Sequence, residues 1–319
     1  MELRQLRYFK AIADARSFAK GAHQLCVAQP ALSRSIAGLE DELGQVVFFR
    51  HSAGVTLTDA GARLYKHATE VLNRMQMLTD EMAADLGIPH GSVSLGVPPS
   101  IQAILTAPIA AEFIKAYPAA TLNVIQNTSA NLRDAVTAGR IDIAIISTLS
   151  PVRGLNYTPL LTEGMCLIER ADAPPRLKST IDIADLSSEP LIVCGHPNLM
   201  RAFLEEAFEA QQITPNIRCE VNTSSLVLDL VSQGAGAGIA PSCAVASHPS
   251  DNLRFTPINS LRFTWTIATS YERIGSASVI QLGAMLRERA VDLIQTGRWP
   301  TASLDSCEPP ADNLIKLTA

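Results

Sequence analysis

The stretch Val27-Ala28-Gln29-Pro30-Ala31-Leu32-Ser33-Arg34-Ser35-Ile36 decides how the N-terminal end of the chain is read. Pro30 suits the first turn of a helix, where a missing N–H costs little. Leu32, Ile36, Leu39 and Leu43 then recur at spacings of four, three and four, an apolar packing stripe that Gly44 brings to an end. Gln29, Ser33 and Arg34 fall off that stripe. Arg and Gln are the side chains that pair bidentately with guanine and adenine edges in the major groove. In a helix-turn-helix, the N-terminal part of the second helix reaches the bases. A solvated polar face is the plain alternative for any one of these residues.

Working outward, Leu3, Leu6, Phe9, Ile12 and Ala13 give a first helix. Ser17 can cap a second one carrying Ala19, Ala22 and Leu25. After the third helix, Val46–Arg50 and Val55–Leu57 read as two strands joined across His51-Ser52-Ala53-Gly54. The pattern is a helix-turn-helix followed by a β-wing. With the wing beside them, the three polar residues are better explained by DNA contact than by solvation.

Thr58-Asp59 opens a long helix over 58–86, with a cap and an acidic first-turn residue that suits the helix dipole. Leu64, Ala68, Val71, Met75, Leu78 and Met82 run along it at alternating spacings of four and three. That 3.5-residue repeat predicts a coiled-coil seam, with a second copy of the chain as partner. Packing on its own globular domain is the competing reading. Gly87 and Pro89 stop the helix.

The remainder alternates apolar strands and helices. Val93–Val97, a helix from Ile101 to Tyr117, Leu122–Ile125, a helix from Thr128 to Gly139, and Ile141–Ile146 form one cycle. Leu191–Val193, a helix Leu199–Gln211, Ile217–Val221, a helix Leu226–Gln233, and Ile239–Pro241 form a second. Two βαβ-type halves predict two subdomains with a cleft between them.

Bulk numbers bound the function. The chain has 319 residues, 47% hydrophobic and 18% charged, so a sizeable core is expected. The net charge is −5, which argues against coating nucleic acid with overall positive charge. It does not bear on a small DNA-reading part. Residues 1–60 carry seven basic against six acidic side chains, whereas residues 89–319 carry 16 against 21. Non-specific DNA affinity should therefore be modest per protomer. No apolar run reaches the length of a membrane span and the N-terminus lacks signal-peptide features, so a cytoplasmic location is expected. The six scattered cysteines contain no Cys-x-x-Cys and are expected to be reduced.

The first 86 residues closely resemble the LysR-type transcriptional regulators of bacteria. The resemblance is carried by Ser17–Leu25, Val27–Ile36, Leu39–Gly44, Phe48–Arg50 and Gly54–Gly61. Gly139-x-Ile141-Asp142 and Gly234-x-Gly236-x-Gly238-Ile239-x-Pro241 extend it more weakly over most of the chain. It implies an N-terminal winged helix-turn-helix with a long linker helix, plus an α/β effector region of two Rossmann-like subdomains, similar to type 2 periplasmic binding proteins. The implied boundaries are 1–58 for the DNA-binding domain, 59–87 for the linker, and 91–299 for the effector-binding domain. Subdomain I comprises 91–162 and 267–299, and subdomain II 163–266, with crossovers near Leu161–Gly164 and Phe263–Ile267. A polar tail, 300–319, is assigned no role.

The resemblance also implies DNA contacts by Gln29, Pro30, Ser33, Arg34 and Arg50, and an effector held by Ser100 and Thr128. Asn198 and Thr223 offer matching ends from the second half. The implied partners are a double-stranded DNA operator, RNA polymerase, a small organic acid or aromatic carboxylate as effector, and further copies of the chain in a homodimer or homotetramer. No cofactor, metal or membrane partner is expected. Three departures stand out: Ala28 replaces a capping Ser or Thr, the wing tip His51-Ser52-Ala53 is weakly basic, and Ser35 stands where Gln is frequent.

Two other readings compete with this one. A solute-binding protein without gene regulation fits the effector half but not the helix-turn-helix. A cytosolic α/β enzyme lacks an acid–base or metal cluster and a Gly-x-Ser-x-Gly elbow. Gly234–Gly238 resembles a dinucleotide loop, but a helix precedes it and a strand follows, the reverse of that fingerprint. Asp142 is read as satisfying a turn, and Arg201 as a solvated helix residue.

Overall fold

The computed structural model describes residues 1–52, 54–84, 89–147, 152–246, 248 and 252–304. It divides into two compact units, one of residues 1–85 with 138–140, the other of the rest.

In the first unit, α1 (Leu3–Ala15), α2 (Phe18–Gln24) and α3 (Gln29–Leu43) pack around Phe9, Ile12, Leu32, Ile36 and Leu39, each fully buried. Ser17 caps α2 by accepting from the Lys20 N–H. Gly44 ends α3 at φ 64°, a left-handed conformation that favours glycine. The wing is β1 (Phe48–His51) paired antiparallel with β2 (Gly54–Leu57). Val46 and Val47, expected in the first strand, lie outside it. Their carbonyls accept from the hydroxyl and the N–H of Thr58, and the Val47 N–H goes to Glu40.

Thr58 Oγ1 accepts from the Gly61 N–H at 2.9 Å, so it caps α4 (Asp59–Ala84). A Cβ on Gly61 would stand 2.1 Å from the Val47 carbonyl oxygen. The wing and the start of α4 are thus locked together at a spot only glycine fits. Ala68 is 1% exposed and sits in this unit's own core, with Leu64 packed against it. Of the expected seam, Ala68 is thus taken up within the chain and Leu64 is partly covered, because α1 lies against α4. Val71, Met75 and Leu78 are exposed, and the Met82 side chain lies outside the described residues.

The second unit is built on one eight-stranded sheet, ordered β4-β3-β5-β10-β6-β9-β7-β8. β3 (Gly91–Val97), β4 (Ala120–Gln126) and β5 (Ile143–Ser147) are mutually parallel at one end. β7 (Leu191–Cys194), β8 (Ile217–Val221) and β9 (Ala237–Pro241) repeat that arrangement at the other. Between them lie two long antiparallel strands, β6 (Leu155–Arg170) and β10 (Leu253–Ser270). β10 pairs with β5 through 265–269, and β6 with β9 through 165–168, so each long strand serves both halves. Both α/β halves are present, as expected, and Leu161–Gly164 and Phe263–Ile267 lie within the two long strands.

The helices of this unit are α5 (Ala107–Ala116), α6 (Ser129–Thr137), α7 (Leu199–Ala210), α8 (Ser224–Ser232), α9 (Ser242–Ala246) and α10 (Ala277–Gln295). The helix expected over 101–117 is broken: a 3-10 turn Pro99–Ile101 and a π turn Gln102–Thr106 precede α5. Pro108 has no N–H and crowds the carbonyl four residues back, so regular α geometry cannot extend through it. The turn from α8 to β9 uses Gly234 at φ 79° and Gly236 at φ 150°, a helix-to-strand connection as read from sequence. Asp142 accepts from the Ser94 N–H and hydroxyl and pairs with Arg273 Nε at 2.8 Å. It ties the start of β5 to β3 and pairs a buried guanidinium, where the sequence suggested a turn.

Candidate DNA-reading face and ligand cleft

On α3 the packing stripe and the polar face separate as their spacing requires. Gln29, Pro30 and Arg34 are exposed and Ser33 is half-buried, opposite buried Leu32, Ile36 and Leu39. Ala28 provides no side-chain cap. Its carbonyl accepts from the N–H groups of Ala31 and Leu32. In the wing, Arg50 is exposed, and its guanidinium stacks on the Phe18 ring.

In the second unit, Ser100, Thr128, Asn198 and Thr223 all border a single cavity of about 230 Å³. They reach it from four separate chain segments. Each stands where a strand hands over to a helix or turn, the position at which α/β sheets place ligands. Asn198 Oδ1 accepts from the Met200 N–H at 3.0 Å, and Thr223 Oγ1 from the Leu226 N–H at 3.3 Å, so both cap their helices. Thr128 Oγ1 accepts from the Asn131 N–H at 3.4 Å. The Ser100 hydroxyl lies beside the buried Cys243 thiol, which burial pushes well up. The N-termini of α6, α7 and α8 converge here, with the positive ends of their helix dipoles toward the cavity.

None of the described lining residues carries a formal charge. Sequence reasoning missed Asn127, Ser129, Ser147, Ser224 and Trp265, which also line the cleft. Ser147 ends β5, a position the strand-end rule could have found; it donates its N–H to Ser129 Oγ at 3.1 Å. Trp265 carried no local signal, because residues 263–267 were read only as a crossover between subdomains.

Arg201 corrects another expectation. Its side chain is 10% exposed and bonds Glu205 and Glu220 at 2.7 Å each. It clamps α7 to β8 instead of being solvated. Among the described residues, no group of three His, Cys, Asp or Glu could hold a metal ion, and no helix is long and apolar enough to cross a membrane. Cys26, Cys166, Cys194, Cys219 and Cys243 are free thiols.

Two family models match the chain. The bacterial regulatory helix-turn-helix protein, lysR family, spans residues 3–62, and the LysR substrate binding domain spans 87–291. The nitrogen assimilation regulatory protein nac of Klebsiella aerogenes is 31% identical over 251 residues, covering 77% of this chain and 80% of that protein. The HTH-type transcriptional regulator BsdA of Bacillus subtilis is 30% identical, covering 85% of this chain and 94% of that protein. Among solved structures, a full-length OxyR variant from Pseudomonas aeruginosa is 26% identical, with a TM-score of 0.75 over 90% of this chain and 98% of its own. The helix-turn-helix, the two α/β halves and these likenesses together make the chain a member of the LysR-type transcriptional regulators, DNA-binding proteins with an effector-binding region and not enzymes.

Proposed function

We propose that this regulator reads an interrupted inverted-repeat operator as a dimer and answers to a small organic anion bound in the cleft of its second unit. The carrying observation is the convergence of Ser100, Thr128, Asn198 and Thr223, with three helix N-termini, on one cavity without formal charges. Such a site holds a carboxylate through hydroxyls, amides and N–H groups and needs no counter-ion. Its volume of about 230 Å³ suits a single ring or a short aliphatic acid.

Gln29, Pro30, Ser33 and Arg34 form the base-reading face, and Arg50 takes a phosphate from the wing. Half-sites lie about one helical turn apart, matching the two-fold axis of a dimer. The exposed part of α4, with Val71, Met75 and Leu78, is the dimer contact. Dimers pair further into a tetramer. The working units are 1–58, 59–87 and 91–299, the last split at the two long strands. Effector binding biases how the halves of the second unit close, and so the geometry offered to DNA and RNA polymerase. Work on the chromosome places the protein in the cytoplasm.

The test is a gel shift with the DNA upstream of its own gene, run with and without candidate acids, beside a thermal shift on the full chain. Ser100→Ala together with Thr128→Val should abolish the thermal shift and leave the gel shift intact. A thermal shift unchanged in that variant moves the effector site elsewhere. The absence of any sequence-dependent gel shift overturns the operator reading.

A further inference from the structure

Between α1 and α2 the chain turns at Arg16, which sits at φ 50° and ψ 29°. That left-handed conformation is common for glycine at a helix C-terminus and uncommon for a residue with a Cβ. It persists only where the surrounding bonds over-determine it. The Arg16 N–H goes back to the Ala13 carbonyl at 3.4 Å, and the next residue, Ser17, caps α2. The Arg16 carbonyl reaches the wing, accepting from the Val55 N–H at 3.1 Å.

Val55 lies on β2, opposite Arg50 of β1. Its side chain is buried in the core that also holds Phe9 and Phe48. Gly54, just before it, sits at φ 132°, and a Cβ there would stand 2.6 Å from the Arg16 carbonyl oxygen. That oxygen is backbone and cannot swing aside as a side-chain tip would. The turn at Arg16 and the bare Cα of Gly54 therefore fit only together.

The wing has little to orient it from within. Its two strands have four residues each, and an isolated two-stranded hairpin is marginal in water. Its direction comes from what it is bonded to. On one side Val46 and Val47, leading into β1, give their carbonyls to Thr58. On the other, the turn 16–18 holds β2 by the Arg16 carbonyl and holds the Arg50 guanidinium by the Phe18 ring.

We propose that Arg16 and Gly54 are positioning residues for DNA binding: their backbone clamp presets the wing, so that Arg50 meets a phosphate already in place. The inference rests on Arg50 taking a phosphate. A preset contact raises affinity because the group need not be ordered on binding. A phosphate contact carries no sequence information. The clamp therefore adds to affinity for any duplex and leaves the base discrimination of α3 unchanged.

The experiment uses the full chain with two labelled DNAs, a random-sequence duplex and the DNA upstream of its own gene, in anisotropy titrations at several salt concentrations. Gly54→Ala should weaken binding to both by the same factor, at least about five-fold, and flatten the dependence of log affinity on log salt by about 1. In an Arg50→Ala background the same change should weaken binding by less than about two-fold, since no contact is left to position. Arg16→Asn and Arg16→Val remove the same charge but differ in the turn, because asparagine tolerates the left-handed region and a β-branched residue does not. The asparagine variant should bind at least about three-fold more tightly than the valine variant, and the gap should close in the Arg50→Ala background. If Gly54→Ala does not fold, this pair carries the test.

Full affinity with an unchanged salt slope in Gly54→Ala, or equal binding by Arg16→Asn and Arg16→Val, overturns the clamp. So does a Gly54→Ala loss that multiplies in full with that of Arg50→Ala, which would mark general damage to the domain. An Arg50→Ala change that by itself leaves the salt slope intact would instead mark failure of the phosphate reading on which the clamp rests.

Discussion

The guanidinium of Arg50 lies 4.5 Å from the centre of the Phe18 ring, so a cation of the wing is held by an aromatic at the start of α2. Phe18 is 8% exposed and packs edge-on against Phe48, with centroids 5.7 Å apart. The ring is anchored in the core, and it restricts an otherwise exposed arginine. Such a contact contributes about 0.5–1 kcal/mol at an exposed site.

Phe18→Leu should therefore cost about two- to five-fold in DNA affinity by freeing Arg50, with the fold retained. Arg50→Ala should cost more, and should flatten the dependence of log affinity on log salt by about 1. Anisotropy titrations at several salt concentrations measure both. An unchanged salt slope in Arg50→Ala removes the phosphate contact.

Arg34 is exposed on the polar face of α3, where a bidentate base contact supplies about 1–3 kcal/mol of discrimination. Arg34→Ala should thus weaken operator binding about 5- to 150-fold and binding to random DNA far less. Equal losses on the two DNAs would sink the base-reading role.

Val71 and Leu78 are 41% and 52% exposed on α4, beyond the part occupied by Ala68. A double change, Val71→Lys with Leu78→Lys, should leave the helical circular dichroism intact and shift the sedimenting species toward monomer. Affinity for a two-half-site operator should fall with it, since two linked sites bind far more tightly than one. A variant that still sediments as a dimer points to another face.

A half-buried and a fully buried carboxyl should make stability depend on pH in opposite directions. Burial pushes Glu169 up, but the guanidinium groups of Arg176 and Arg254 outweigh it and hold the group below its ordinary value of 4.5. A depressed folded value adds stability above the ordinary value, and that stability is lost as pH falls. Glu169→Gln should cost about 2 kcal/mol at pH 7, less than a fully buried pair because both arginines are partly solvated. The gap should begin to close as pH falls through 4.5. For Glu163, burial wins over its donors and the group titrates above 4.5. A raised folded value adds stability at low pH, lost as pH rises. Glu163→Gln should therefore gain on the wild type as pH increases. Melting temperatures of the three proteins across pH 4–8 test both signs; parallel curves would contradict them.

Much of the fold was legible because its signals are local. The α1–α3 stripes, the Ser17 and Thr58 caps and the Gly44 stop each depend on residues within one or two turns. The same holds for Ser100 and Thr128, since a hydroxyl between a strand and a helix marks a helix N-terminus on sequence alone. What was misread involved partners far apart in the chain. β6 and β10 contain Pro159, Gly164 and Pro257, which interrupt a strand pattern, and neither long strand was named from the sequence. They are strands because each pairs with the other, about 100 residues away. A proline is accommodated where its missing N–H faces no ladder partner, and only the pairing reveals that.

The sequence by itself determined the class of the protein, the polar face of α3 with Gln29, Ser33 and Arg34, and the strand-end hydroxyls that border the cleft. Spacing and capping are short-range and act before any tertiary contact forms. Only the tertiary structure decided which apolar positions of α4 were already taken, and that Arg201 is clamped between two glutamates. It also decided that Trp265, Glu163 and Ser242 meet behind the cleft. Burial and hydrogen bonding between remote segments are settled by packing, where an unpaired polar group costs too much to leave.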